Sequence, residues 1–115
     1  MDAYTAILAR RSVRAYQDKP VPEELLTRLM EAAMAAPTAC NAQPWEFLIV
    51  NTPGGMAEMR AVMPHGKYNA PAAIVVCANL KKALNNCAER FWEQDTSAAM
   101  ENILVAAAGE SLGSV

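Results

Sequence analysis

Residues 10–16 read RRSVRAY, which places three arginines within five residues and a serine hydroxyl between them. Arginine offers planar, forked donors that pair bidentately with phosphate or carboxylate, and the hydroxyl adds a neutral donor in the same stretch. The chain as a whole is slightly acidic, with a formal net charge of −2, so a local cluster of cations calls for an explanation. The predicted anion-binding residues are Arg10, Ser12 and Arg14. The alternative interpretation is a helix end whose cations complement the helix dipole.

A second polar stretch, PTACNAQPW at 37–45, brings a hydroxyl and two amides between prolines. Amides such as those of Asn41 and Gln43 can read the heteroatom edge of a flat heterocycle while neighbouring backbone packs on its face. Taken alone, the stretch is equally typical of a polar loop that precedes a strand.

GESLG at 109–113 fits the G-x-S-x-G pattern of a hydrolase nucleophile elbow. That elbow follows a strand, leads into a helix and needs a histidine and an acid. Here the pattern follows a predicted helix, and His65, the sole histidine, lies upstream. A glycine at a helix end followed by a turn is the favoured interpretation, with a hydrolase using Ser111 kept as an alternative.

The cysteines are Cys40, Cys77 and Cys87, an odd number without a CxxC spacing. This pattern predicts neither a disulfide framework nor a zinc site. Cys40 is interpreted as an ordinary thiol and His65 as a surface loop residue, and no metal site is predicted.

Composition narrows the class of protein. A pI near 5.3 argues against nucleic-acid binding, which depends on many phosphate contacts. No apolar run approaches the ~18 residues of a membrane span, and the N-terminus lacks a signal-peptide layout, so a cytoplasmic location is expected.

Hydrophobic residues make up 53% of the 115 residues. A chain this short buries a limited share of its surface, so the surplus predicts an apolar face for a partner, most simply a second copy.

The predicted elements alternate between helix and strand. Asp2 is expected to cap a helix over 3–11, with Tyr4, Ile7 and Leu8 on one face, before an extended segment over 12–19. The expected later elements are a helix over 22–36, a strand over 45–51, a helix over 53–63, a central strand at AAIVVCA and a long helix over 88–108. The order predicts an α-and-β arrangement of packed layers.

The two polar stretches together resemble the start of the FMN-dependent nitroreductase family. RRSVRAY is followed by VPEELLTRLMEAAMAAPTACNAQPWEFLIV, and the similarity continues through NAPAAIVVCA and FWEQDTSAAMENILVAAAGESLGSV. The resemblance implies an α+β fold, a three-layer α/β/α sandwich of the nitroreductase type, with residues 1–115 as a single domain. It also implies a homodimer with FMN at the interface.

The resemblance assigns roles to individual residues. Arg10, Arg11, Ser12 and Arg14 should hold the flavin phosphate and ribityl chain. Pro37, Thr38, Ala39 and Asn41 should approach the flavin of the other subunit, while Gln43 orders the loop. The implied activity passes electrons from NADH or NADPH to a nitroaromatic, quinone or similar acceptor by a ping-pong mechanism, with no catalytic acid or base.

The end of the chain departs from the family pattern. Chains of the family normally continue past the position of 111–115 into further strands, and GESLGSV differs from their usual helix, Gly-Leu-Gly, strand run. The C-terminal strands are therefore expected to be absent and the fold truncated. The alternative function is a non-catalytic, truncated dimeric nitroreductase-like protein with weak or no flavin binding.

Overall fold

A computed structural model describes residues 1–115, the whole chain. Its elements are α1 (Ala3–Ala9), α2 (Glu23–Met34), a 3-10 turn (Ala39–Asn41), β1 (Trp45–Val50), α3 (Pro53–Val62), β2 (Ala73–Ala78) and α4 (Ala88–Gly109). The predicted order of helices and strands is confirmed. α1 ends two residues before the predicted boundary, because Arg10 leaves the helical region with ψ at 131°.

Side-chain caps explain where two of the helices begin. Asp2 accepts hydrogen bonds from the backbone N–H and the hydroxyl of Thr5, at 2.9 and 2.8 Å. The backbone bond from Thr5 favours the charged carboxylate and lowers the pKa of Asp2. Thr52 accepts from the N–H of Gly55 at 3.1 Å and starts α3 in the same way. Both caps satisfy N–H groups that a helix leaves unpaired at its first turn.

The sheet consists of β1 and β2, paired antiparallel with Trp45 opposite Ala78 and Val50 opposite Ala73. The prediction that β2 is a central strand is wrong for this chain, because a central strand needs a neighbour on each edge and β2 has one partner. The continuous apolar run of β2 also predicts more burial than the structure shows, since Val75 and Cys77 are exposed on one face.

The core lies along α4, which packs against α2 and also against the sheet. Its buried residues are Leu29, Ala33, Ala36, Ala99, Ile103 and Ala107. Ala33 on α2 and Ala99 on α4 are completely buried, so alanine lets the two helices approach closely. The result is a layered α+β fold, as predicted.

Much of the apolar surface lies outside this core. Only 13 of 115 residues are buried, and α1 buries Ala6 alone. The predicted apolar face of α1 points away from the core, with Tyr4 72% exposed and Ile7 and Leu8 each 55% exposed. An apolar face of this kind is suited to contact with another molecule. None of the four helices combines the length and apolar composition needed to cross a bilayer.

Candidate functional site

The arginine-rich segment leaves α1 in an extended conformation and lies beside the C-terminal residues. The N–H of Val13 donates to the carbonyl of Ser114 at 2.9 Å, and Ser12 pairs with Ser114 in an isolated parallel bridge. Gly113 permits this approach, because a Cβ placed on it would lie 2.9 Å from Cγ1 of Val13. Residues 12–14 are therefore held against the segment that follows α4.

An open groove of about 210 Å³ lies at this junction. The residues that line it are Ala9, Arg10, Arg11, Val13, Ala108, Ser111, Leu112, Gly113 and Ser114. Two arginines and two serines thus line one concave surface, and side chains of these types can donate to an anion.

The three arginines differ in what they already bind. Arg10 is half-buried, with Nε 3.6 Å from a carboxylate oxygen of Glu101. Nη1 of Arg11 donates to the carbonyls of Leu8 and Arg10, both at 2.7 Å. Arg11 therefore also performs the helix-end role that was the alternative interpretation. Arg14 is exposed and forms no ion pair or side-chain hydrogen bond within the chain.

Tyr16 fixes the far end of the arginine-rich segment. Its hydroxyl donates to the carbonyl of Val13, and its backbone exchanges two hydrogen bonds with the side chain of Asn69, at 3.3 and 3.1 Å. Partial burial raises the pKa of Tyr16. The segment that carries Arg14 is therefore held at both ends.

The second polar stretch, residues 37–44 (hereafter the 37–44 loop), has an unusual backbone. Cys40, Asn41 and Gln43 have φ values of 54°, 54° and 49°, in the left-handed region that side chains other than glycine rarely adopt. The N–H of Gln43 donates to Oγ1 of Thr38 at 3.1 Å, and its side-chain amide donates to Oδ1 of Asn41 at 2.8 Å. The prediction that Gln43 orders the loop is confirmed.

Asp95 anchors this loop and was missed by the sequence analysis. It is 3% exposed, and its Oδ1 accepts a hydrogen bond from the N–H of Ala39 at 2.9 Å, while Oδ2 has no partner. The burial of Asp95 could have been predicted from its spacing. It lies four residues before Ala99, which is followed at the same spacing by Ile103 and Ala107 on the buried stripe of α4. A polar residue on such a stripe requires a partner, which here is loop backbone.

Cys40 and Cys87 form a disulfide, so the predictions of an ordinary thiol at Cys40 and of no disulfide are wrong. The two Cα atoms are 6.2 Å apart across 47 residues of sequence, a distance that a disulfide spans. The fold brings the 37–44 loop over the start of α4, and no local sequence pattern encodes that approach. Cys77 is free and exposed.

The two polar stretches lie at opposite ends of α4 within one chain. The 37–44 loop contacts Asp95, whereas the groove is lined by Ala108. Thirteen residues of helix separate these positions, a distance of about 20 Å. The structure therefore brings Arg10 and Arg11 to the groove, leaves Ser12 and Arg14 in the adjoining segment outside its lining, and places the 37–44 loop elsewhere.

The remaining candidates do not form a site. Ser111 follows a helix instead of a strand, with φ at 59°, so the context of a hydrolase elbow is not met. His65 is an exposed loop residue, as predicted. No group of three or more His, Cys, Asp or Glu side chains is positioned to hold a metal ion.

Substituting Gly113 with alanine is expected to disrupt the groove. The added Cβ would lie 2.9 and 3.1 Å from two carbon atoms of Val13, which forces the paired segments apart. Overpacking of this kind costs about 1–3 kcal/mol. Thermal unfolding should show a lower Tm, and amide hydrogen exchange should show faster exchange at Val13.

Gly54→Ala is the matched control for this change. A Cβ at Gly54 meets nothing within 4 Å, and the residue lies in α3, where alanine is the better helix former. Its Tm should be unchanged or higher. An equal loss of Tm in both variants would contradict the assigned role of Gly113.

A comparison with protein families and a comparison with individual proteins point to the same family. The sequence model of the nitroreductase family matches residues 7–65. A protein of Methanothermobacter thermautotrophicus, provisionally named an NADH dehydrogenase/NAD(P)H nitroreductase, is 42% identical over 119 aligned residues, covering 100% of this chain and 60% of its own.

Solved structures share the fold. A provisionally identified nitroreductase of Desulfovibrio desulfuricans, in complex with FMN, superposes with a TM-score of 0.84 at 30% identity, covering 96% of this chain and 64% of its own. An FMN-dependent nitroreductase of Clostridium difficile gives a TM-score of 0.74 at 31% identity, covering 94% and 61%. The chain thus has the fold of these proteins and spans about three fifths of their length.

Proposed function

Because the chain belongs to the nitroreductase family, we propose that it is an FMN-dependent oxidoreductase that acts as a single domain over residues 1–115. In this proposal it passes electrons from NADH or NADPH to a nitroaromatic, quinone or similar acceptor by a ping-pong mechanism. A cytoplasmic location is part of the same proposal. The observation that carries it is the groove, where Arg10 and Arg11 line one concave surface with the hydroxyl-bearing segment 111–114.

The donors at this end of the chain fit a phosphate monoester. Arg10 keeps its Nη groups free of the Glu101 contact, which involves Nε, and Arg14 has no partner in the chain. Ser12 is exposed next to them. Arg10, Ser12 and Arg14 would therefore hold the phosphate and ribityl chain of FMN through charge-assisted hydrogen bonds. Arg11 would contribute less, because its Nη1 already binds two carbonyls.

The ring of the flavin is assigned to the 37–44 loop of a second copy. Pro37, Thr38, Ala39 and Asn41 of that loop would pack on it. The two halves of the site lie at opposite ends of α4, so an antiparallel two-fold arrangement can bring the groove of one protomer beside the loop of its partner. The exposed apolar face of α1 supports such a homodimer, because it lies next to the arginine-rich segment.

Bound FMN supplies the two-electron chemistry, and the protein binds and orients it. The guanidinium groups neutralise the phosphate and fix one end of the cofactor. The backbone of the 37–44 loop, held by Asp95 and Gln43, presents a shaped surface to the ring. No side chain is assigned as a general acid or base.

The visible absorption spectrum of the purified protein tests this proposal. We expect a yellow protein that releases FMN on denaturation. NADH or NADPH should bleach it under argon, and a nitroaromatic or quinone should restore the colour. A colourless protein that also fails to take up added FMN would contradict the proposal. If such a protein were still a stable dimer, the alternative of a non-catalytic nitroreductase-like protein would be favoured.

A further inference from the structure

We propose that the Cys40–Cys87 disulfide is a redox-sensitive link that holds the 37–44 loop in its flavin-binding shape, so that its reduction weakens FMN binding. This inference rests on the function proposed above, because it concerns control of the same site. It predicts that the affinity for FMN depends on the thiol–disulfide state of the surroundings, a dependence that flavin chemistry alone does not require.

The loop needs external support because its backbone is unfavourable. Three of the four residues from Cys40 to Gln43 have positive φ, and none of them is glycine. Asparagine tolerates this region better than most residues, but cysteine and glutamine have no such preference. Conformations of this kind persist only where surrounding contacts impose them.

The supporting contacts come from one region, the start of α4 and the residues just before it. Asp95 accepts from the N–H of Ala39 at 2.9 Å, and the side-chain amide of Asn85 donates to the carbonyl of Cys40 at 2.9 Å. The N–H of Leu84 also donates to the carbonyl of Ala42 at 2.8 Å, and the fourth contact is the covalent bond from Cys87 to Cys40. Cys40 lies between Ala39 and Asn41, two residues assigned to the flavin, and is itself at positive φ.

The link is open to thiol chemistry. Cys40 is exposed and Cys87 is half-buried, so an external dithiol can reach the sulfur of Cys40. A thiolate of the reductant attacks that sulfur and releases the Cys87 thiolate. The second thiol of the reductant then displaces Cys40, so the protein gains two electrons and two protons while the reductant becomes a disulfide. In a reducing compartment, disulfides are usually transient or regulatory.

Reduction leaves the loop held by hydrogen bonds alone. Cys40 can then relax toward negative φ, and a smaller fraction of molecules presents the loop in the binding shape. The apparent dissociation constant rises in inverse proportion to that fraction. A loop in its binding shape about one tenth of the time would bind FMN about tenfold more weakly.

The experiment compares oxidised and reduced protein, both free of flavin at the start. Mass spectrometry after alkylation establishes the thiol state, and the dithiol reductant is removed under argon before titration with FMN. We expect the dissociation constant, from quenching of flavin fluorescence, to rise about tenfold or more on reduction. Without FMN, hydrogen exchange at the amides of Ala39 and Gln43 should become faster on reduction.

Two cysteine variants serve as controls, one outside the disulfide and one within it. Cys77→Ser removes a thiol outside the link, on the exposed face of β2, and should respond to reduction as the wild type does. Cys87→Ser should bind FMN as weakly as the reduced wild type, with no response to the reductant. If Cys87→Ser fails to fold, the two redox states of Cys77→Ser decide the question without it.

The outcomes separate this inference from the proposed function. FMN binding with equal affinity in both redox states overturns the redox-sensitive link and leaves the flavin function standing. A Cys87→Ser variant that still loses affinity on reduction overturns it as well. If neither the oxidised nor the reduced protein binds FMN, the flavin function is overturned, and with it the regulatory role.

Discussion

Replacing Arg10 and Arg14 together with alanine is expected to weaken FMN binding by about two orders of magnitude. A hydrogen bond to a charged group contributes about 1.5–3 kcal/mol, so loss of two guanidinium–phosphate contacts costs about 3 kcal/mol or more. The fold should survive, because the Arg14 side chain has no ion pair or hydrogen bond within the chain and the Arg10 side chain has one ion pair, to Glu101, whose side chain is 58% exposed. Flavin fluorescence titration gives the affinity, and a thermal melt checks the fold.

The control variant is Lys67→Ala with Lys81→Ala, which removes the same charge from two exposed positions outside both the groove and the 37–44 loop. Its FMN affinity should change little, since distant surface charges are screened by salt. The wild-type affinity should also fall as ionic strength rises. An affinity that stays unchanged in the arginine variant would contradict the assignment of the phosphate to this end of the chain.

Leu29→Ala is expected to lower the free energy of unfolding by about 3 kcal/mol, within the 2–5 kcal/mol typical of leucine truncation in a core. Leu29 is 5% exposed and belongs to the cluster between α2 and α4. The loss is a large share of the stability of a small domain, and few other residues are buried here. Urea unfolding at fixed protein concentration measures it, because association would add to apparent stability.

Leu84→Ala is the matched control, since the Leu84 side chain is 68% exposed and its backbone N–H donates to the carbonyl of Ala42, a bond that alanine also forms. Its free energy of unfolding should change by no more than about 0.5 kcal/mol. Equal losses in the two variants would show that the α2–α4 contact is not the main source of stability.

Local patterns predicted the elements well because their causes are local. The caps at Asp2 and Thr52 and the apolar stripe of α2 depend on residues within one or two turns. The burial of Ala99 also follows from its spacing with Ile103 and from its small size. Such features need no knowledge of which segments meet.

The 37–44 loop shows where sequence reasoning stopped. Its polar residues were found, but the left-handed backbone at Cys40 and Gln43 has no propensity signature. The disulfide depends on the start of α4 folding over the loop, a long-range event. The division of the candidate site between the two ends of α4 is likewise a property of packing, visible only once Asp95 and Ala108 are placed.

The disulfide also changes the covalent connectivity of the molecule. The bond between Cys40 and Cys87 closes a ring that contains β1, α3 and β2, so the complete sheet lies inside it. A single peptide-bond cut within that ring, such as tryptic cleavage after the exposed Lys67, does not divide the chain into two molecules. The nicked protein remains a single molecule on a non-reducing gel, heavier than the intact chain by one water. It separates into two pieces only when the bond between the sulfurs is broken.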